Sequence, residues 1–189
     1  MTTDAVKPLR ADAQRNRDRL LAVAVRALSD DPDVALETIA KEAGVGIGTL
    51  YRHFPTREAL IEAAYRSELL RLSDAAPSLL AKKAPDAALR AWMDRFVDYM
   101  SAKRGMAQAL QRLIESGGNP FAESRARMVG ALASLLEAGA VAGTIRADVA
   151  ADDVLTTLSG VTLAAGDPEK RKQAGRILDL VMDGLRARS

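Results

Sequence analysis

Hydrogen-bonding side chains are concentrated between residues 46 and 53, in the segment GIGTLYRH. Thr49 and Tyr51 carry hydroxyls that can bond to phosphate oxygens, and Arg52 carries a guanidinium that can pair with phosphate or fork onto the edge of a guanine. The two glycines permit close approach of a backbone and read no base themselves. The segment therefore has the donor groups of a DNA-contacting surface. The candidate contacts are Gly46, Gly48, Thr49, Tyr51, Arg52, His53 and Arg57.

A rigid element has to hold such a surface, and the flanking residues predict one. Residues 36–43 repeat apolar side chains at three- and four-residue spacing, as on one face of a short helix. Gly44 follows, where a positive φ can end that helix. Ile47 to His53 predicts a second short helix, with Leu50 and Phe54 facing the first. Two short helices joined by a glycine-containing turn form a helix-turn-helix, whose second helix enters the DNA major groove.

The run IAKEAGVGIGTLYRHFPTREALIEA resembles the DNA-binding signature of the TetR-type (tetracycline-repressor-like) transcriptional regulators. The resemblance extends over roughly residues 10–66 and implies an all-α homodimer. In that family three N-terminal helices bind DNA, and a variable C-terminal helical domain binds a small molecule and dimerises. The implied boundaries are 1–55 for the helix-turn-helix domain, with its N-terminal arm, and 56–189 for the ligand-binding and dimerisation domain.

Two positions depart from the family pattern. Ala35 stands where the family usually has Ser or Thr at the start of the second helix, so the side-chain cap is either lost or passed to Asp33. Gly46 stands where the family often has Ser, which removes one potential DNA contact.

Composition narrows the possible classes of protein. The 48% of hydrophobic residues can form a sizeable core, and the absence of cysteine excludes disulfides and thiolate metal sites. No apolar run approaches the roughly 20 residues that span a bilayer, and the first ten residues contain no apolar signal region. We therefore expect a cytoplasmic protein with no membrane partner, and the excess of Arg over Lys together with abundant Ala favours a bacterial source. The net charge is only +2, but cations gather near the start, at Lys7, Arg10, Arg15, Arg17 and Arg19.

The N-terminal cations have two interpretations. They can follow DNA phosphates, or they can lie on a solvated helical face. Residues 1–9 are polar and aperiodic, which indicates a mobile arm before a first helix over 11–29. The acidic turn from Asp30 to Asp33 lacks the ligand geometry of a calcium loop, so we expect no metal site there.

Proline and glycine divide the rest of the chain into helices, and about nine helices are expected in all. The fourth extends from Thr56 to about residue 80, with a possible break near Pro77. The next two are expected from Pro85 to Arg104 and from Met106 to Glu115. Pro120 is expected to open the seventh. The last two are expected to end at Ala165 and Arg186.

Aromatic residues and methionines cluster between residues 92 and 128. Trp92, Phe96 and Met100 are spaced by four and face one way on a helix. Core packing accounts for any one of them, but as a group they predict one wall of a cavity that prefers a largely apolar ligand. The candidate ligand-binding residues are Trp92, Phe96, Met100, Leu110, Leu113, Phe121 and Met128.

The last two helices carry apolar stripes that need a partner. Packing within one protomer would satisfy them, whereas the resemblance implies a four-helix interface between two copies. The candidate dimer residues are Leu158, Val161, Leu178, Val181, Met182 and Leu185.

Enzymatic chemistry is poorly supported, because His53 is the only histidine and lies on the predicted recognition helix. No phosphate-cradling glycine motif follows a strand, so no cofactor is expected. The sequence predicts a ligand-responsive regulator, a repressor that binds a near-palindromic double-stranded operator as a homodimer and is released by a small effector. The alternatives are a constitutive or architectural DNA-binding dimer without a ligand, and an all-α enzyme.

Overall fold

The computed structural model describes residues 6–165 and 168–187, and of these the side chains of residues 6–11 and 168 lie outside the description. The helices in this part of the chain are α1 Val6–Asp30, α2 Leu36–Glu42, α3 Ile47–His53, α4 Arg57–Ser73, α5 Ala75–Leu80, α6 Pro85–Gly105, α7 Ala107–Glu115, α8 Ser124–Val141, α9 Ala151–Ala165, a 3-10 turn Pro168–Lys170, and α10 Arg171–Leu185.

The predicted all-α class is confirmed. Across residues 6–165 and 168–187 the only β-type pairing is an isolated antiparallel bridge between Ile145 and Arg186. The Arg146 N–H donates to the Leu185 carbonyl at 2.9 Å, and the Ala187 N–H donates to the Thr144 carbonyl at 3.2 Å. These bonds fasten the end of α10 to the turn after α8. None of the described helices combines the length and apolarity needed to cross a membrane.

Two predicted boundaries were wrong, and a predicted break was found three residues from the expected proline. Residues 6–9 belong to α1, although they were predicted to be part of an arm. The helix can start there because Pro8 falls in the first turn, where a missing N–H is tolerated. Residues 1–5 lie outside the described part of the chain. The break expected near Pro77 in the fourth helix lies at Asp74, because Pro77 cannot donate to the carbonyl four residues earlier. The seventh helix was expected to open at Pro120, but residues 120–123 form turns and α8 begins at Ser124, since a fixed φ suits a turn as well as a helix.

The chain forms two compact units. The first contains the residues up to Ser67 together with Arg104–Pro120, and the second contains Glu68–Lys103 together with the residues from Phe121 onward. Helices α4 and α6 therefore each contribute residues to both units.

The core of the first unit is formed by the apolar faces of α1 and of the short helices α2 and α3. Leu20 and Leu28 of α1 are buried with Ile39 of α2 and Leu50 of α3. At the junction of α6 and α7 the backbone approaches α1 closely, because a Cβ added at Gly105 would lie 2.5 Å from the Ser29 hydroxyl oxygen. Only glycine fits this junction without displacing α1.

The second unit is built around the broad apolar face of α6. Its largest buried side chain, Trp92, donates its indole N–H to the Leu72 carbonyl at 2.9 Å, which ties α6 to α4. Ion pairs then fasten α6 to α10: Arg90 reaches Asp179 at 2.7 Å, and Arg171 reaches Asp94 at 3.0 Å. Helices α8, α9 and α10 complete the core with the buried residues Leu132, Leu135, Leu155, Leu158 and Leu178.

Candidate nucleic-acid interface

The turn between α2 and α3 has the geometry that the sequence predicts. Gly44 has φ +67°, a conformation that glycine adopts without steric cost. The Val45 N–H donates to the Ala40 carbonyl and the Gly44 N–H to the Lys41 carbonyl, at 3.0 and 3.1 Å. These two bonds form a Schellman motif, which ends α2 and satisfies its last carbonyls. The chain is thereby redirected into α3 with only three intervening residues after Ala43.

Helix α3 has one buried side and one exposed side. Leu50 is fully buried, and Phe54, immediately after the helix, is buried as well. On the other side Gly46, Gly48, Tyr51 and Arg52 are exposed, and Thr49 and His53 are half-buried. Six of the seven predicted DNA contacts are thus brought together on α3 and its N-terminal cap, although their contact with DNA stays a prediction.

The Arg52 guanidinium lies along the exposed side of α3. Its Nε donates to the Gly48 carbonyl at 3.2 Å, and its Nη2 lies 3.4 Å from the Thr49 hydroxyl oxygen. These contacts are long and leave the remaining N–H groups of the guanidinium facing solvent. Helix α3 therefore orients Arg52 and leaves part of its hydrogen-bonding capacity unused. A Cβ added at Gly46 or Gly48 would meet nothing within 4 Å, so the surface of α3 next to Arg52 is open to solvent.

The seventh predicted contact, Arg57, is placed differently. It is half-buried at the start of α4, and its guanidinium donates to the Val34 carbonyl at 2.7 Å and to the Pro32 carbonyl at 2.6 Å. Both carbonyls belong to the connection between α1 and α2. Arg57 therefore fastens α4 to that connection, a positioning role that the sequence analysis missed because the partners are 23 and 25 residues away. A further contact of Arg57 with DNA stays a prediction.

The start of α2 lacks a side-chain cap, as one of the two alternatives for Ala35 predicted. The other alternative placed the cap on Asp33. Instead, the Asp33 carboxylate accepts from both terminal nitrogens of Arg112 on α7, one of them at 3.2 Å. The hydrogen bond from Arg112 holds the pKa of Asp33 below its ordinary value of 3.8. The ion pair joins α7 to the turn that precedes α2 within the first unit.

The described N-terminal arginines are partly engaged within the first unit. Arg15 pairs with Asp12, and the Arg19 guanidinium donates to the Asn16 amide oxygen at 2.6 Å. The Arg17 guanidinium lies 5.5 Å from the centre of the Phe54 ring, a cation–π contact between α1 and the end of α3. Arg17 thus helps to position the candidate recognition helix rather than only adding charge.

The predicted ligand-binding residues are divided between the two units. Leu110 and Leu113 are buried in the first unit, because α7 belongs to it. In the second unit Trp92 and Phe96 are buried, whereas Met100, Phe121 and Met128 are half-buried. The Lys103 ammonium lies 4.2 Å from the centre of the Phe121 ring, and burial lowers the pKa of Lys103. A ligand cavity walled by these residues stays a prediction.

The second unit contains a cleft at a different place. Its volume is about 350 Å³, and it is lined by Glu68, Arg71, Leu72, Arg95, Asp98 and Tyr99. This cleft was not predicted from the sequence, because four of its six lining residues are charged rather than apolar or aromatic. The available signal was the matching spacing of charged and apolar residues at i, i+3 and i+4 on two helices.

The predicted dimer residues lie mostly inside the protomer. Leu158, Val161, Leu178, Met182 and Leu185 are buried and Val181 is half-buried in one copy of the chain. The large apolar side chains that α9 and α10 expose are Leu163, exposed to 84%, and Leu180, exposed to 70%. The most apolar stripe of each helix is thus covered by the protomer's own core, and a different side of these helices is open.

Two family models match separate parts of the chain. Residues 20–64 match the family model for bacterial regulatory proteins of the tetR family, and residues 84–187 match the model for the C-terminal domain of SbtR-like transcriptional regulators. An HTH-type transcriptional regulator of Staphylococcus aureus strain USA300 is 39% identical over 54 residues, which span 29% of that relative's length.

Solved structures extend the similarity to more than nine-tenths of the chain. The TetR transcriptional regulator SCO0520 from Streptomyces coelicolor is 54% identical, with a TM-score of 0.88 over 92% of this chain and 99% of that one. The TetR transcription regulatory protein from Mycobacterium vanbaalenii is 35% identical, with a TM-score of 0.78 over 95% of this chain and 100% of that one. The chain, with its helix-turn-helix and its C-terminal helical region, belongs to the TetR family of DNA-binding transcriptional regulators.

Proposed function

We propose that this regulator is a repressor that binds a near-palindromic operator as a homodimer and is released by a small-molecule effector. The observation that carries the proposal is the exposed side of α3, which presents Tyr51 and Arg52. The opposite side of α3 is held in place by the buried Leu50 and by the cation–π contact of Arg17 with Phe54. A helix held in this way can enter the major groove as one rigid body.

Within the groove, the exposed groups of α3 divide between positioning and base reading. The Tyr51 hydroxyl is suited to a phosphate oxygen, which fixes the register of the protein on DNA. Arg52 can place two N–H groups on a guanine edge, a contact that discriminates bases by about 1–3 kcal/mol. Gly46 and Gly48 leave room for the backbone of α3 to approach the bases closely.

A dimer is supported by the open side of α9 and α10. On α9 the exposed residues Gly160, Leu163 and Ala164 follow helical spacing, and α10 exposes Leu180 and Gly184. A Cβ added at Gly160 or Gly184 would meet nothing within 4 Å, so a second copy could approach both helices closely. Large apolar side chains among small residues are typical of a helix–helix interface, and two copies would place two α3 helices on half-sites spaced by whole turns of DNA.

The effector response requires a path between the two units, and two helices supply the covalent connection. Both α4 and α6 begin in one unit and end in the other. An effector that binds the DNA-free arrangement better shifts the population toward it, and a tenfold loss of operator affinity needs about 1.4 kcal/mol of coupling. By linkage, DNA weakens effector binding by the same factor.

The assembly is tested with two single substitutions on the same helix. Leu180→Asp places a carboxylate on the open side of α10, so we expect a folded monomer by sedimentation, with weakened operator binding because only one half-site is held. Leu178→Asp is the matched control, since Leu178 is fully buried in the protomer and a charge there should unfold the chain. A Leu180→Asp variant that stays dimeric and binds DNA normally would place the interface elsewhere.

A further inference from the structure

The cleft in the second unit is built from two matching helical faces. Glu68, Arg71 and Leu72 lie at i, i+3 and i+4 on α4, and Arg95, Asp98 and Tyr99 have the same spacing on α6. Residues at these spacings share one side of a helix, so each helix presents two charged groups and one apolar group to the same space. The volume of about 350 Å³ is at the lower end of the range for small-molecule sites.

The six residues that line the cleft carry two cations and two carboxylates, but Arg95 pairs with neither carboxylate. The Arg71 guanidinium lies 2.8 Å from a Glu68 carboxylate oxygen. The Asp98 carboxylate lies 3.1 Å from the Nε of Arg171, which approaches from α10. Arg95 is exposed, and none of the ion pairs or hydrogen bonds among the described side chains includes it. Arg71 and Arg171 each face a carboxylate, so Arg95 is the lining cation that is available to an incoming anion.

The remaining lining is apolar and fixed. Leu72 and Tyr99 are exposed to only 2% and 3%, so they form a firm floor rather than mobile surface groups. An aromatic or short aliphatic body could lie on this floor while a charged head reaches the guanidinium. The Asp98 carboxylate, which Arg171 contacts through one oxygen, retains acceptor capacity for a hydroxyl or amine of the same molecule.

We propose that this cleft binds a small organic acid, with the carboxylate on Arg95, the carbon body on Leu72 and Tyr99, and a hydrogen-bond donor on Asp98. This inference rests on the proposed function, since it assigns the chemical class of the effector. It replaces the largely apolar effector that the sequence predicts with one that carries a negative charge. A guanidinium and a carboxylate form paired, charge-assisted hydrogen bonds, which favours an acid over its neutral isostere.

The chain contains its own reporter for this site. Trp92 is the only tryptophan, and its indole N–H donates to the carbonyl of Leu72, a residue that lines the cleft. A ¹H–¹⁵N spectrum therefore has a single indole cross-peak, which senses occupancy of the cleft through one hydrogen bond.

The experiment titrates the full-length protein with 4-hydroxybenzoate and with its neutral isostere, 4-hydroxybenzamide, and follows the indole cross-peak. We expect the acid to bind about five- to tenfold more tightly than the amide, as one partly exposed charge-assisted contact allows. Arg95→Gln should abolish that preference. Arg127→Gln, which alters an exposed arginine of α8 outside the cleft, is the matched control and should retain it.

Three results would overturn the inference: a wild type that does not prefer the acid, a preference for the acid that survives in Arg95→Gln, or an indole cross-peak that neither probe shifts at about 10 mM. Operator binding is measured in parallel on the same samples. If wild type and Arg95→Gln both bind DNA but the acid preference is absent, the cleft assignment fails while the regulator stands. If the acid preference is present and neither protein binds DNA, the proposed function fails and the site remains.

Discussion

Arg57 can have two roles in this regulator: it can position α4, or it can contact a DNA phosphate. Its two bonds to the Val34 and Pro32 carbonyls, at 2.7 and 2.6 Å, are short and charge-assisted. Arg57→Met removes both bonds and keeps the aliphatic stem. A hydrogen bond to a charged group contributes about 1.5–3 kcal/mol when buried, but Arg57 is half-buried and water can replace it at both carbonyls. We therefore expect a total loss of about 1–3 kcal/mol in the free energy of unfolding.

Urea denaturation followed by circular dichroism measures this loss, and the salt dependence of operator binding measures the alternative role. If Arg57 only positions α4, the slope of log K against log salt should not change. If Arg57 contacts a phosphate, the magnitude of the slope should fall by about one. Arg52→Met is the matched control, because Arg52 is exposed on α3: it should keep stability and lose DNA affinity. An Arg57→Met variant of wild-type stability with a reduced salt slope would refute the positioning role.

Two further predictions concern the junctions of the first unit. Gly105→Ala should lower the free energy of unfolding by about 1–3 kcal/mol in urea denaturation, because the new Cβ meets Ser29. Ser29→Gly should reduce that loss. Gly130→Ala is the control and should stabilise slightly, because its Cβ would meet nothing within 4 Å. A Gly105→Ala penalty unchanged in the Ser29→Gly background would contradict the steric cause. Arg112→Gln should raise the pKa of Asp33 in an NMR titration. Because the pKa of Asp33 is depressed in the folded protein, Asp33 stabilises the fold above its ordinary pKa, and this stabilisation is lost as the pH falls through the folded pKa. The free energy of unfolding of Arg112→Gln should therefore depend less on pH in this acidic range. An unchanged Asp33 titration would exclude the ion pair in solution.

The features that the sequence predicted well are those encoded by neighbouring residues. The end of α2 depends on Gly44 and the four-residue periodicity before it, and the buried side of α3 depends on Leu50 and Phe54. These signals are local, so they need no knowledge of the rest of the fold. The break at Asp74 was anticipated only loosely, since Pro77 restricts the residues before it without fixing which one ends the helix.

The features that the sequence did not predict depend on distant partners. Arg57 and Asp33 each bond to groups more than 20 residues away in the sequence. The residues next to them do not predict those partners. Periodicity shows that the stripe containing Leu178 is apolar but not what covers it, and the family resemblance alone implied that a second copy does. In the folded protomer the chain itself covers that face, and Leu180 on another side is exposed.

Recognition of DNA by α3 is tested by selecting binding sites from a random library of double-stranded DNA with the purified protein. We expect enrichment of one near-palindromic sequence whose half-sites are spaced by whole helical turns. Arg52→Ala should relax the preference at one position of each half-site, and Tyr51→Ala should weaken binding to all selected sequences about equally. Failure of wild type to enrich any sequence, or identical selections by wild type and both variants, would contradict recognition of DNA by α3.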